Sequence, residues 1–332
     1  MTFPDAALSL ISPDDYAARA RAIEEQVGRV IVGQTELVRL VLVCLVSEGH
    51  ALLEGVPGLG KTMLLKTLAE ALDLDFNRLQ FTPDLMPADI VGTNIIAEDA
   101  SGEKFFRFEP GPIFANLVLA DEINRATPKT QSALLEAMQE QTVSVAKTIH
   151  PLPQPFFVLA TQNPMEMEGT YPLPEAQLDR FFFKLQVNYP TPQELNEILV
   201  RTTGNIVPNV EKVADGPQMI ETGEMAREVP IHNNVLDYAA RLVLATHPGN
   251  PTAPKVTNDY IRYGSSPRGA QALVLGGKIR ALLEGRYHVA HEDVRAVAYP
   301  ALRHRIILNL QAEMEGITAD SVLDDILQRV PQ

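Results

Sequence analysis

Gly55-Val56-Pro57-Gly58-Leu59-Gly60-Lys61-Thr62 is the stretch on which the reading of this chain turns. It fits the pattern G-x-x-x-x-G-K-[ST]. Glycines there let backbone N–H groups turn inward around phosphate oxygens, where a Cβ would obstruct them. A helix opening at Lys61 would aim its N-terminal dipole at the same spot. In such a loop Lys61 is expected to reach the β- and γ-phosphates, and the Thr62 hydroxyl to ligate Mg²⁺. The flanks agree with this: Ala51-Leu52-Leu53-Glu54 reads as a short apolar strand, and 62–72 as a helix.

A site of this kind needs a carboxylate at the end of a neighbouring strand. Leu117-Val118-Leu119-Ala120 is a brief apolar run ending in Asp121-Glu122, 60 residues beyond Lys61. Asp121 is expected to hold Mg²⁺, directly or through water, and Glu122 to polarise the attacking water. A third run over 156–160 ends at Thr161-Gln162-Asn163-Pro164. Asn163 there could orient water or contact the γ-phosphate, although an asparagine before proline is also a common turn residue. Asp179-Arg180 precedes the aromatic run 181–183. Arg180 reads either as half of a surface ion pair or as a guanidinium supplied across a subunit boundary, worth about 10³–10⁵ in rate in related nucleotide hydrolases.

Further out, helical patterns cover 16–30 (after a start signal at Ser12-Pro13-Asp14-Asp15), 37–48 and 129–141, so strands and helices alternate as far as Tyr189. Alternation of this kind predicts a parallel sheet with helices on its faces. After Tyr189-Pro190-Thr191-Pro192 helices dominate, at 193–202, 233–245, 267–284 and 291–303, while 204–230 reads as irregular. The division is therefore expected near Tyr189: 1–189 an α/β domain, 190–332 a smaller all-helical one.

Composition narrows the function. The 332 residues are 45% hydrophobic and 21% charged, as in ordinary globular chains. Acidic residues outnumber basic ones 42 to 28, a net charge of −14, which disfavours phosphate backbones and anionic lipid. The single cysteine, Cys44, excludes an intrachain disulfide, and its apolar surroundings suggest a buried thiol. The seven histidines show no metal-ligand spacing. MTFPDAALSL lacks a basic segment ahead of an apolar core, and no window approaches 18 apolar residues, so a soluble, cytoplasmic protein is expected.

In order, GVPGLGKT, LVLADEINRA, LATQNP, LPEAQLDRF and SSPRGAQAL resemble the MoxR family of AAA+ ATPases, as do FTPDLMPADIVG and REVPIHNNVLDYAARLV. The likeness runs from about Val30 to Arg303. It implies a P-loop α/β nucleotide-binding domain followed by a helical lid, ATP hydrolysis to ADP with Mg²⁺, and a homo-oligomer, usually a hexameric ring. By resemblance Gly55 to Met63 form Walker A and Asp121 and Glu122 Walker B. Asn163 is sensor 1, Arg180 the arginine finger acting on a neighbour's ATP, and Arg268 sensor 2, contacting the γ-phosphate in cis. Val32 and Gly33 lie where the family cups adenine. Arg125 matches an arginine at the subunit boundary.

Segments of about 89–112 and 141–155 read as hairpin insertions, which in such rings face the pore or a partner, or else serve as plain connecting ribbons. The resemblance further implies chaperone-like maturation of a partner complex, often beside a von Willebrand factor A domain protein. The alternatives are the motor subunit of a metal-chelatase-like complex or a nucleotide-gated scaffold. A nucleic-acid motor fits poorly with the net charge.

Overall fold

The computed structural model describes residues 12–56, 58–163, 169–204 and 208–332. Its first helix, α1 (Pro13–Val30), starts where local chemistry demands. The Ser12 side chain accepts from the Asp15 N–H, the Asp15 carboxylate takes the Ser12 N–H, and Pro13 stands in the first turn. It buries Tyr16, Ala20, Ile23 and Val27, the spacing of one helix face. Helix α2 (Thr35–Val46) is buried continuously from Val41. The chain then turns at Glu48, whose φ is +58°, into β1 (Ala51–Glu54).

After the glycine loop come α3 (Lys61–Leu72), β2 (Phe76–Gln80) and α4 (Pro87–Val91). A hairpin follows, β3 (Gly92–Glu98) against β4 (Lys104–Pro110). Next are β5 (Leu117–Asp121) and α5 (Pro128–Glu140). A second hairpin pairs β6 (Thr142–Val145) with β7 (Thr148–Pro151), turning at Ala146 and Lys147, both at positive φ. The core closes with β8 (Phe157–Gln162), the short α6 (Glu175–Leu178) and β9 (Phe183–Gln186).

Five strands form one parallel sheet in the order β2-β5-β8-β1-β9. Its residues alternate between two cores. Leu53, Leu119, Leu159 and Leu185 face α1, α2, α3 and the C-terminal helices. Leu52, Val118, Val158 and Ala160 face Leu134, Leu135 and Met138 of α5. The edge strand β2 has only Leu79 buried, which is why its sequence carries no apolar run. The two hairpins touch: Phe108 stacks on His150 with ring centroids 3.9 Å apart. At the base of the first, a Cβ on Gly92 would lie 2.3 Å from the Glu109 carbonyl oxygen, and one on Gly111 2.2 Å from that of Ile90.

Beyond β9 lie α7 (Pro192–Thr202), α8 (Gly216–Glu228), α9 (Asn233–Leu244), α10 (Lys255–Tyr260), the strand β10 (Ile261–Tyr263) and α11 (Pro267–Leu283). They are followed by α12 (His291–Ala296), α13 (Ala298–Leu302), β11 (Ile307–Leu308), α14 (Leu310–Glu315) and α15 (Ala319–Arg329). The irregular segment expected over 204–230 contains α8. Asp215 and Gln218 cap its start reciprocally, and it buries Met219, Thr222 and Ala226. The single helix expected over 291–303 is two, because the Pro300 ring would clash with the carbonyl of Ala296 in a continuous helix. No helix among the described residues is long and apolar enough to cross a membrane.

His50 pins the entry to β1. The Val158 N–H donates to its Nδ1 (3.1 Å), so the proton sits on Nε2, which donates to the Met138 carbonyl at 2.9 Å. Burial pushes this imidazole down to about 4, the Met138 bond opposing only in part. Buried His304 is likewise held well below its ordinary value, chiefly by burial. Both depress proton uptake in the folded state, so their contribution is complete above pH 6.5 and is lost as pH falls toward 4. From His50 alone the loss reaches about 3 kcal/mol. Urea midpoints measured from pH 7 to pH 4.5 should therefore fall, and His50→Gln should flatten the slope; a pH-independent midpoint would contradict this.

Candidate nucleotide site

The parallel sheet carries the C-terminal ends of β1, β5 and β8 to one edge, the place where open α/β sheets take ligands. Between β1 and α3 the loop has Gly58 at φ +86° and Gly60 at φ +76°, and a Cβ built on either meets no atom within 4 Å. The loop therefore faces solvent at Gly58 and Gly60. Pro57 lies outside the described residues. Gly55 closes on Val187, where a Cβ would come to 3.1 Å. Val56 and Leu59 complete the loop, with Thr62 and Met63 in the first turn of α3. Lys61 Nζ folds back onto the Gly55 carbonyl at 2.6 Å. Burial lowers this ammonium's affinity for its proton, while Asp121 and Glu122 act against that.

A second turn abuts the loop. Gln34 Nε2 donates to the Leu59 carbonyl at 3.3 Å, bringing Val32 and Gly33 alongside. Gly33 has φ +72°, and a Cβ on it would stand 2.1 Å from a Glu194 carboxylate oxygen of α7. The positive φ favours glycine there, whereas the Glu194 side chain could move aside.

On β5, Asp121 Oδ1 accepts from Thr161 Oγ1 at 2.6 Å, and Oδ2 from Arg78 at 2.6 Å. Glu122 turns left-handed, φ +57° and ψ +49°, an uncommon conformation for a side chain of its size. The turn is held by its own N–H donating to Thr161 Oγ1 (2.9 Å). Glu122 Oε2 accepts from Gln80 Nε2 at 2.8 Å and from Arg125 at 2.9 Å. Asn163 follows β8, 8% exposed. The sheet thus gathers the glycine loop, Lys61, Thr62, Asp121, Glu122 and Asn163. Sequence reading missed Arg78, Gln80 and Thr161. Thr161 was visible inside LATQNP, next in register after Ala160, which pairs with Ala120. Arg78 and Gln80 alternate on an edge strand that carried no apolar signal.

Arg180 and Arg268 lie elsewhere. The Phe182 N–H donates to the His50 carbonyl (2.8 Å), and Ala51 pairs with Phe183. Arg180 is exposed at the N-terminal edge of the sheet, with the length of β1, about 3.3 Å per residue, between it and the loop. Arg268 pairs with Asp179 at 3.4 Å, at that same far edge. In this structure Arg268 is therefore anchored at the end of the sheet away from its own chain's glycine loop. Both arginines line an open cleft of about 880 Å³, with Arg227, Lys278 and apolar side chains of α9 and α11.

Residues 50–183 match the AAA family (ATPase family associated with various cellular activities), and 254–326 match the AAA lid domain. The chaperone MoxR1 of Mycobacterium tuberculosis is 44% identical over 320 residues, spanning 96% of this chain and 84% of that one. This chain belongs to the MoxR family of AAA ATPases. The MoxR protein of Paracoccus denitrificans is 32% identical over 315 residues, covering 89% of this chain and 90% of its own. A solved structure from Cytophaga hutchinsonii superposes with a TM-score of 0.89 at 42% identity over 96% of both chains. The MoxR-family chain is thus a nucleotide-binding ATPase with an AAA core and a helical lid. The match to the core begins at His50 and ends on the first residue of β9, enclosing β1 to β8 and so both hairpins.

Lys61→Ala removes the one ammonium in the loop. Titration with a fluorescent ATP analogue should show affinity lowered by about tenfold or more, with the melting curve near wild type. Undiminished affinity would place the phosphates elsewhere.

Proposed function

We propose that this MoxR-family ATPase works as a ring, probing and remodelling a partner protein complex in a chaperone-like way as ATP is hydrolysed. The observation carrying this is the division of the arginines from the loop. The loop, the acidic pair and Asn163 stand at one end of the sheet, Arg180 and Arg268 at the other. In this structure one chain does not hold both beside one phosphate, so a site shared between neighbours fits this arrangement. A heterologous interface of that kind generates a ring where the rotation between neighbours closes. The cationic cleft beside Arg180 and Arg268 is where a neighbour's nucleotide edge would seat.

In this reading Lys61 leaves the Gly55 carbonyl for the β- and γ-phosphates, and the loop N–H groups from Gly58 to Met63 enclose them. Val32 and Gly33 take the adenine. The hydroxyl of Thr62 and the carboxylate of Asp121, both hard oxygen donors, would hold Mg²⁺, which when bound would neutralise phosphate charge. Arg78 must then yield Asp121 Oδ2. Glu122, released from Gln80 and Arg125, orients the water and accepts its proton, while Asn163 steadies the γ-phosphate side. Arg180 and Arg268 arrive from the neighbour, so Arg268 acts in trans. Loss of the γ-phosphate frees both, and rotation of the lid half (from about Tyr189) moves the partner. The relative named a chaperone in Mycobacterium tuberculosis supports the chaperone-like reading. A partner with a von Willebrand factor A domain, a hexameric ring and a cytoplasmic setting complete the proposal.

Glu122→Gln should bind ATP normally and hydrolyse it about 10²–10⁴-fold more slowly. Arg268→Ala should also be slow. Mixed in equal amounts, the two inactive variants leave about one site in four with an intact loop side and an intact arginine side, if sites are shared. Steady-state phosphate release should therefore exceed that of either variant alone. A mixture no faster than its parts would mean that Arg268 works within its own chain.

A further inference from the structure

The segment around Arg180 has no regular structure of its own between α6 and β9, yet side-chain hydrogen bonds from elsewhere in the chain hold its backbone. Arg305, from the turn after α13, has a side chain only 3% exposed. Its guanidinium donates to Asp179 Oδ1 (2.9 Å) and to the carbonyls of Asp179 (3.3 Å), Phe181 (2.7 Å), Phe182 (3.1 Å) and Ala301. His304 Nε2 adds a second bond to the Phe181 carbonyl at 3.0 Å. Lid residues thus grip the backbone on both sides of Arg180 and leave its own side chain outside.

The Asp179 carboxylate carries the other half of the grip. Ser266, the N-cap of α11, donates its hydroxyl to both carboxylate oxygens (2.8 and 3.0 Å), and Arg268 approaches Oδ2 at 3.4 Å. One carboxylate therefore binds Arg305, the start of α11 and Arg268 together, one residue before Arg180. Pure stability is a weak reason for such a cluster: a buried ion pair can often be replaced by apolar side chains without loss. What it achieves is a fixed distance and orientation between two exposed arginines on different parts of the chain.

We infer that Asp179 and Arg305 are positioning residues that lock Arg180 and Arg268 into one rigid unit, so that the two enter a neighbour's site together. This rests on the reading that Arg180 completes the site of the adjacent chain.

The test uses the full chain with Asp179→Asn, which keeps the shape and removes the charge, and Arg305→Lys, which keeps the charge and removes the fork. Both should lower kcat by about tenfold or more, since a displacement near 1 Å can cost about 10²-fold, while ATP affinity and KM stay within about twofold. Where Arg305→Lys does not fold, Ser266→Gly removes the hydroxyl on Asp179, retains an acceptable N-cap, and should give a smaller kcat loss of the same kind.

Each variant is then mixed with Glu122→Gln, with Arg180→Ala as the reference. A gain in phosphate release for Asp179→Asn matching that for Arg180→Ala supports the inference, because a defect confined to the folding of its own chain would not be complemented. A gain for Arg180→Ala alone overturns it while leaving the shared site standing. No gain from either mixture overturns the shared site and the inference with it. So does unaltered turnover in Asp179→Asn overturn the inference.

Discussion

One hydrogen bond, from the Phe182 amide to the carbonyl of His50, governs the relation between the two halves of this molecule's chemistry. It opens the ladder between β1 and β9, setting Ala51 opposite Phe183 and Glu54 opposite Gln186. With that register, whatever precedes β9 must emerge at the end of the sheet away from the phosphate loop. Parallel pairing leaves no alternative, because both strands run the same way. His50 is secured in turn by β8 and α5 through its two ring nitrogens. A buried neutral imidazole can do this by donating from one nitrogen and accepting at the other.

The interior strands were legible because burial on both faces leaves a continuous apolar run. Leu117 to Ala120 and Phe157 to Ala160 are of that type, and the glycine loop announces itself by spacing. Phe76 to Gln80 were opaque for the converse reason: an edge strand with one buried side chain reads as polar. Helix α8 was obscured by its glycines and proline, although Asp215 and Gln218 form a start signal. At the site, residue types and order identified the loop and the acidic pair. Which end of the sheet Arg268 would join was not legible, since that depends on its partner Asp179, 89 positions earlier. Thr161 was hidden in plain sight, because a threonine's role as a bracket between Asp121 and Glu122 follows from strand register alone.

The acidic pair shows how much local restraint the site requires. Glu122 occupies a left-handed turn that costs on the order of 1 kcal/mol or more for a non-glycine residue. Thr161 offsets part of this by accepting from its N–H while donating to Asp121. The carboxylates meanwhile have cationic or amide partners in Arg78, Arg125 and Gln80. These are side chains on mobile stems, so the backbone is fixed where the carboxylates remain free to exchange partners.

The stacking of Phe108 on His150 has a mechanical consequence. It joins two ribbons whose roots differ: β3 and β4 spring from α4, β6 and β7 from the end of α5. Gly92 and Gly111 pinch the first root so closely that it cannot flex by admitting a side chain. Thr130, near the start of α5, donates to the Leu85 carbonyl just before α4, and α5 itself follows the short turn that begins at Glu122. The two ribbons, α4, α5 and the turn at Glu122 are thus joined by one unbroken chain of contacts.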